Sequence, residues 1–383
     1  MKASWEVKKL EDVCENKASN VSQNQLDNEK GKYPIYGASG LIKNISFYRQ
    51  DKPYISIVKD GAGIGRITLQ PAHSSVIGTL QYLNPKDGMD INYLYYLLLG
   101  IDFNKYKKGA AIPHIYFKDY SQENILVPPL PEQRRIVEIL DKTFEKLEKA
   151  KENAEKNLQN AKEVFESYLQ SVFEKKGEGW EEKSIQEITK VINGYAFASE
   201  DFNSTNTIKS VKITNIGVKE FIEEVDNYLP EKFKKTLKEV QIKEGNIVIA
   251  LTRTIISAGL KVAVVPASYD GALVNQRVAA LVPNEKIINQ RYLYNFLTTK
   301  GVVKYVLAHV NALMQPNLSI NDLKNLPLTY PSLPEQRRIV SKLDTLSAET
   351  KKLEAIYQQK LNNFEELKKA ILQKAFNGEL TKD

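Results

Sequence analysis

The chain has 383 residues, 42% of them hydrophobic, enough for several compact units with buried cores rather than one. Its formal net charge of +7 and pI near 9.0 permit a polyanionic partner without requiring one. A single cysteine, Cys14, leaves no material for an intrachain disulfide or a thiolate zinc site. No run approaches the roughly 20 apolar residues that span a bilayer, and the opening MKASWEVKKLEDV lacks the apolar core of a secretion signal, so the expectation is a soluble, cytoplasmic protein with no membrane partner.

In chain order, residues 1–131 mix strand-like runs with turns. Tyr54-Ile55-Ser56-Ile57-Val58 predicts a strand, Gly61-Ala62-Gly63-Ile64-Gly65 a turn and Arg66-Ile67-Thr68-Leu69 a second strand, with a short helix at 91–99. PLPEQRRIV at 129–137 then opens a long helix, with proline at its start and Glu132 near the positive end of its dipole. Leu140, Phe144, Leu147, Lys151, Ala154, Leu158, Ala161, Phe165, Tyr168 and Val172 alternate spacings of four and three, a heptad seam broken once by Lys151. Gly177 marks its stop. Residues 179–334 form a second mixed part, with strands at Asn246–Leu251 and Leu260–Val265 and a short helix at 289–299. SLPEQRRIV at 332–340 opens a second long helix, with a seam read as Leu343, Leu346, Thr350, Leu353, Tyr357, Lys360, Phe364, Leu367 and Ile371, stopping at Gly378. At about 40 residues each, the helices would be on the order of 60 Å long.

The two LPEQRRIV copies stand 203 residues apart, and at that offset Pro113, Asp119, Pro128 and Phe173 meet Pro316, Asp322, Pro331 and Phe376. Tyr93-Leu94-Tyr95 pairs with Tyr292-Leu293-Tyr294, and Trp5-Glu6 with Trp180-Glu181. The chain therefore reads as a tandem duplication: globular parts at 1–131 and 179–334, helical segments at 132–178 and 335–383. The fold class expected is α/β (α+β) for each globular part, with the two helices paired antiparallel in a coiled coil, giving a pseudo-two-fold molecule.

Catalytic patterns are missing. The glycine run after Asp60 has the spacing GxGxG and opens a strand-like segment that meets Pro71, whereas a phosphate-binding loop must open a helix. His73, His114 and His309 have no metal-ligand spacing, and GxSxG, HExxH and GxxxxGK[ST] do not occur. No metal and no cofactor is expected for this chain. His114 faces Asn317 in the repeat, which points to a structural or nucleic-acid-facing polar role.

The surplus charge lies in the globular parts, +3 in each, against −1 and +2 in the helical segments. That distribution suits two equivalent nucleic-acid-contacting heads, in which Lys and Arg position phosphates and a few side chains read base edges. The candidates are Lys32, Lys43, Arg49, Lys59, Arg66, Lys107 and Lys108 in the first head, and Lys209, Lys212, Arg253, Lys261 and Arg277 in the second.

The doubled LPEQRRIV, with GKYPIYGASGLI (31–42), GALVNQRVAAL (271–281), NALMQPNLSINDLKNLPLTYPSLPEQRRIV (311–340) and AILQKAFNGEL (370–380), resembles the specificity subunit of type I restriction-modification systems over essentially the whole chain. The resemblance implies two target recognition domains reading the halves of a bipartite double-stranded DNA site, with paired helices setting the unread gap. It also implies two methyltransferase subunits as partners, which bring S-adenosylmethionine, and motor-nuclease subunits beyond them. Two other readings compete: a polypeptide with its own restriction or methyl-transfer active site, and a coiled coil that only self-associates.

Overall fold

The computed structural model describes residues 4–175, 177–224, 228–309 and 316–381; residues 311–315 of the NALMQ segment lie outside them. The chain divides into two compact units, Met1–Lys156 with Tyr357–Asp383, and Asn157–Ile356. The long helices run Leu130–Glu174 and Leu333–Phe376, and each contributes residues to both units.

Among the described residues the first head has nine strands: β1 (Glu6–Lys9), β2 (Cys14–Ala18), β3 (Tyr33–Gly37), β4 (Gly40–Ile45), β5 (Tyr54–Val58), β6 (Ile67–Gln70), β7 (Ser75–Val76), β8 (Leu80–Pro85) and β9 (Asn124–Val127). The second continues with β10 (Glu181–Ser184), β11 (Thr189–Asn193), β12 (Ile208–Val211), β13 (Tyr228–Leu229), β14 (Ile247–Ala250), β15 (Ile255–Ile256), β16 (Gly259–Leu260), β17 (Val262–Val264), β18 (Leu273–Val274), β19 (Val278–Pro283) and β20 (Pro327–Tyr330). A four-stranded sheet is ordered β2-β8-β5-β6 in one head and β11-β19-β14-β17 in the other. Three-stranded sheets, β4-β3-β7 and β13-β12-β18, repeat the correspondence, as do the pairs β1-β9 and β10-β20. The β3–β7 and β12–β18 ladders are parallel and the remaining ladders antiparallel. The second head adds the hairpin β15-β16 where the first has the Gly61–Gly65 turn.

Each central strand is buried at every position, which fits the apolar run of β14 and leaves Ser56 as the one polar side chain within β5. Alternation decides the faces. Ile55 and Ile57 join the core formed with the short helix Ile91–Leu99 and with Ile136, Val137 and Leu140 of the long helix, whereas Tyr54 and Val58 join the core under the three-stranded sheet. In the second head Ile247 and Ile249 face Ile339, Val340 and Leu343, and Val248 and Ala250 face the other way.

The repeated glutamine of LPEQRRIV holds helix to head. Gln133 and Gln336 have no exposed surface. The Gln133 amide donates to the Gly88 and Pro128 carbonyls (3.0 and 2.9 Å) and accepts from the Asp90 backbone N–H at 2.8 Å. Gln336 donates to Ile287 and Pro331 (3.0 and 2.8 Å) and accepts from Asn289 at 2.7 Å. Asp90 and Asn289 are the N-caps of the short helices carrying the Tyr-Leu-Tyr copies. The repeated tyrosines serve one purpose as well: Tyr93 donates to the Leu126 carbonyl at 3.0 Å and Tyr292 to that of Thr329 at 3.3 Å.

Helix pairing is antiparallel within each unit. In the first, Phe376 packs on Tyr93 with ring centroids 5.3 Å apart, and Lys151 pairs with Glu365 at 2.8 Å. In the second, Phe173 packs on Tyr292 at 5.0 Å and the Lys342 ammonium lies 4.9 Å from the Tyr168 ring. The first helix's seam falls where its spacing predicts, every named position being buried or half-buried. The second is corrected: Leu353 and Leu367 are 43% and 47% exposed and Lys360 is exposed, whereas Glu354, Leu361 and Lys368 are half-buried. The shared positions Thr350, Tyr357, Phe364 and Ile371 keep the seven-residue period, but the intervening covered residue stands at i+4 rather than i+3. Periodicity fixes the stripe; the side of it on which the partner packs is a tertiary choice. Lys368 fits there because its stem reaches over Phe144, with its ammonium 5.5 Å from the ring and 4.0 Å from Glu148. Among the described residues no helix is long and apolar enough to cross a membrane.

Gln336→Ala leaves two carbonyls and one N–H buried without a partner, and should lower unfolding stability by about 2–4 kcal/mol, read by chemical denaturation. Burial pushes the Cys14 thiol up to about 12. Alkylation at pH 8 should therefore be slower by orders of magnitude in the native protein than in denaturant.

Candidate nucleic-acid interface

The four strands of each large sheet present one common end, where β2, β5 and their counterparts β11, β14 finish and β6, β8 and β17, β19 begin. The loops there are pinned to one another by the same bonds in both heads. In the first, Lys59 N–H donates to the Thr79 carbonyl (3.0 Å), Gly61 N–H to Pro113 (2.9 Å) and Ile115 N–H to Lys59 (2.9 Å). In the second, Leu251 N–H donates to Arg277 (2.9 Å), Thr254 N–H to Pro316 (2.9 Å) and Leu318 N–H to Leu251 (2.8 Å). His114 and Asn317 are equivalent here: the His114 Nδ1 meets Asp60 Oδ1 at 2.7 Å, and Asn317 Oδ1 accepts the Arg253 backbone N–H at 3.2 Å. Both tie down the loop after the central strand, which resolves the structural half of the expectation for His114. The glycine run is a strand–turn–strand connection, with Gly65 N–H bonded to the Val58 carbonyl at 2.9 Å.

The candidates separate by what their side chains do. Arg66 donates to the Ala38 carbonyl at 2.7 Å and Lys261 to that of Ile213 at 2.8 Å. These are equivalent positions, since Val58 N–H bonds to Arg66 O and Ala250 N–H to Lys261 O. Both brace the small sheet against the large one. Lys59 is ion-paired with Asp60, and Lys108 with Asp119 at 2.6 Å. Lys43, away from this end, donates to the Leu26 carbonyl at 2.7 Å. Lys212 stands 3.6 Å from the Phe202 ring centroid and Lys209 4.4 Å from that of Tyr269. Burial pushes Lys212 and Lys261 below the usual lysine range, Arg253 adding to the effect at Lys261. Lys212, Lys261 and Arg253 thus gather at one place on the second head. Lys32 and Arg49 lie on the small sheet's side, over Tyr33 and Phe47 at 5.3 and 4.8 Å, beside the Tyr33–Tyr48–His73 ring cluster. Lys107 and Arg277 are exposed and have no side-chain hydrogen bond or ion pair among the described residues.

Charge counting passed over uncharged side chains exposed at the same loops. Tyr116, exposed between Lys108 and Lys118 (5.9 and 5.8 Å), and Ile112 stand out on the 107–116 loop. In the second head Tyr195, Asn275 and Gln276 accompany Arg277. Their signal in the sequence is GALVNQRVAAL (271–281), where Asn-Gln-Arg interrupts a strand-like run. Among the described residues no group of three or more His, Cys, Asp or Glu is placed to hold a metal ion.

By this geometry the chain is a duplicated scaffold, one backbone frame built twice. It belongs to the family described as the type I restriction modification DNA specificity domain, which matches residues 2–156 and 177–363. It is 29% identical to the MjaVIII specificity subunit of Methanocaldococcus jannaschii over 85% of this chain and 79% of that one. It is 22% identical to the EcoDI specificity subunit of Escherichia coli over 98% and 89%. Two solved structures share the fold: a type I R-M assembly chain (TM-score 0.77, 17% identity, 99% of both chains) and the HsdS subunit from Thermoanaerobacter tengcongensis (TM-score 0.62, 18% identity, 99% and 98%).

Burial raises the Asp60 pKa, but hydrogen bonds from Lys59 and His114 and their charges outweigh it and hold the carboxyl below its ordinary 3.8. A depressed folded value means the tie contributes above pH 3.8 and is lost as pH falls through the folded pKa. Amides of the 108–115 loop should lose hydrogen-exchange protection in that acid window, and Asp60→Asn should remove the pH dependence; a loop insensitive to both would exclude the role.

Proposed function

We propose that each head reads one half of an asymmetric bipartite duplex through the loops at the end of its large sheet. On this reading the paired helices set the gap between the halves. The chain works in the cytoplasm with two methyltransferase subunits and with motor-nuclease subunits. The observation that carries the reading is the pairing of one backbone frame, repeated bond for bond, with different exposed side chains on it in the two heads. A constant scaffold with changed contacts is what two different half-sites demand. Membership in the DNA specificity family supports the same reading.

Methylome sequencing with and without the gene tests it. A bipartite adenine motif should be present with the gene and vanish without it; an unchanged methylome would refute the proposal. Gap length gives a second test. Removing one heptad from the first helix (151–157) and the facing one from the second (359–365) shortens the pair by about 10 Å. The preferred gap should contract by about three base pairs, at 3.4 Å per step.

A further inference from the structure

Resting on the DNA-reading role proposed above, we infer that the loop Asn275-Gln276-Arg277 is the purine-reading element of the second head, Arg277 taking a guanine and Gln276 the adjoining adenine. The matching loop of the first head, Ile77-Gly78-Thr79, offers no such contacts.

Two observations combine. First, the backbone of this loop is fixed. Asn275 N–H donates to Val211 (3.0 Å), Gln276 N–H to Tyr195 (2.9 Å), Val278 N–H to Asn275 (2.9 Å), and Leu251 N–H to the Arg277 carbonyl (2.9 Å). The first head repeats all four: Ile77 to Tyr36 (3.0 Å), Gly78 to Val21 (2.8 Å), Leu80 to Ile77 (3.0 Å) and Lys59 to Thr79 (3.0 Å). Gly194 packs so closely that a Cβ there would run into the Asn275 carbonyl. Second, the Gln276 and Arg277 side chains are exposed and make no hydrogen bond or ion pair among the described residues. Most other basic candidates spend their charge internally, on carbonyls, carboxylates or rings. A rigid backbone displaying unbonded Gln and Arg is preorganised for an outside partner. Their chemistry selects that partner: the guanidinium fork matches guanine O6 and N7, and the carboxamide matches adenine N6 and N7 in the major groove. Tyr195, 44% exposed and bridged to Asn275, flanks the loop. In the first head the same frame carries a buried isoleucine, a glycine and a threonine, which supply neither a guanidinium fork nor a carboxamide.

The full chain, co-expressed with its methyltransferase partner, is challenged with a randomised duplex library as wild type, Q276A, R277A and R277K. R277A should lose guanine preference at one position of the second half-site by roughly ten- to a hundredfold, and Q276A adenine preference at the neighbouring position. R277K should fail similarly, because an ammonium cannot form the fork. The first half-site and the melting temperature should not move. Uniform weakening on all duplexes, with the salt slope reduced by about one, would make Arg277 a phosphate contact and overturn the inference while leaving DNA reading intact. An unchanged motif in all variants overturns it equally. A wild-type chain that selects no motif defeats the underlying function instead.

Discussion

A buried carboxamide at the root of each long helix organises this protein. Gln133 and Gln336 each close three hydrogen bonds, to the residue entering the helix, to the loop before the short helix, and to that helix's N-cap backbone. A carboxamide has both donors and an acceptor, so one side chain satisfies backbone groups of three segments that would otherwise be orphaned. Glutamate could not donate, and leucine could do neither. The orientation of the helix root against its head follows from this clamp, and the short helix it caps carries the tyrosine that ties down the last strand.

Around this root the heads repeat a frame and vary its cargo. Central strands are sealed on both faces, so their ends are positioned by two cores at once. Loops at those ends are held by main-chain bonds, which are indifferent to side-chain identity. Arg66 and Lys261 do in the two heads the same bracing with different basic residues, and His114 and Asn317 the same tethering with a ring and an amide. Contacts outward can then change without disturbing the fold.

Positive charge by itself was a weak guide to the outward-facing groups. Lys43, Arg66 and Lys261 bond to carbonyls, and Lys59 and Lys108 to aspartates. Composition cannot separate a lysine that folds the chain from one that binds a partner, because the distinction lies in whether an acceptor stands within reach. The neutral residues beside them, Gln276 and Tyr195, carry no charge to count and become visible only once the loop's bonding is known.

The sequence by itself determined the duplication, the two helices with their prolines and closing glycines, the first seam, and the absence of catalytic spacing, because each is written in local order or in a repeat. Tertiary structure decided what local order cannot encode. It showed that heads unlike in sequence share one strand order, since hydrogen-bonded ladders tolerate any side chain that suits each face. It moved the second seam from Leu353, Lys360 and Leu367 to Glu354, Leu361 and Lys368, since the partner helix, not the period, chooses the side of the stripe. It also divided the basic residues into those bonded within the fold and those facing out, a division set by distances between residues far apart in the chain.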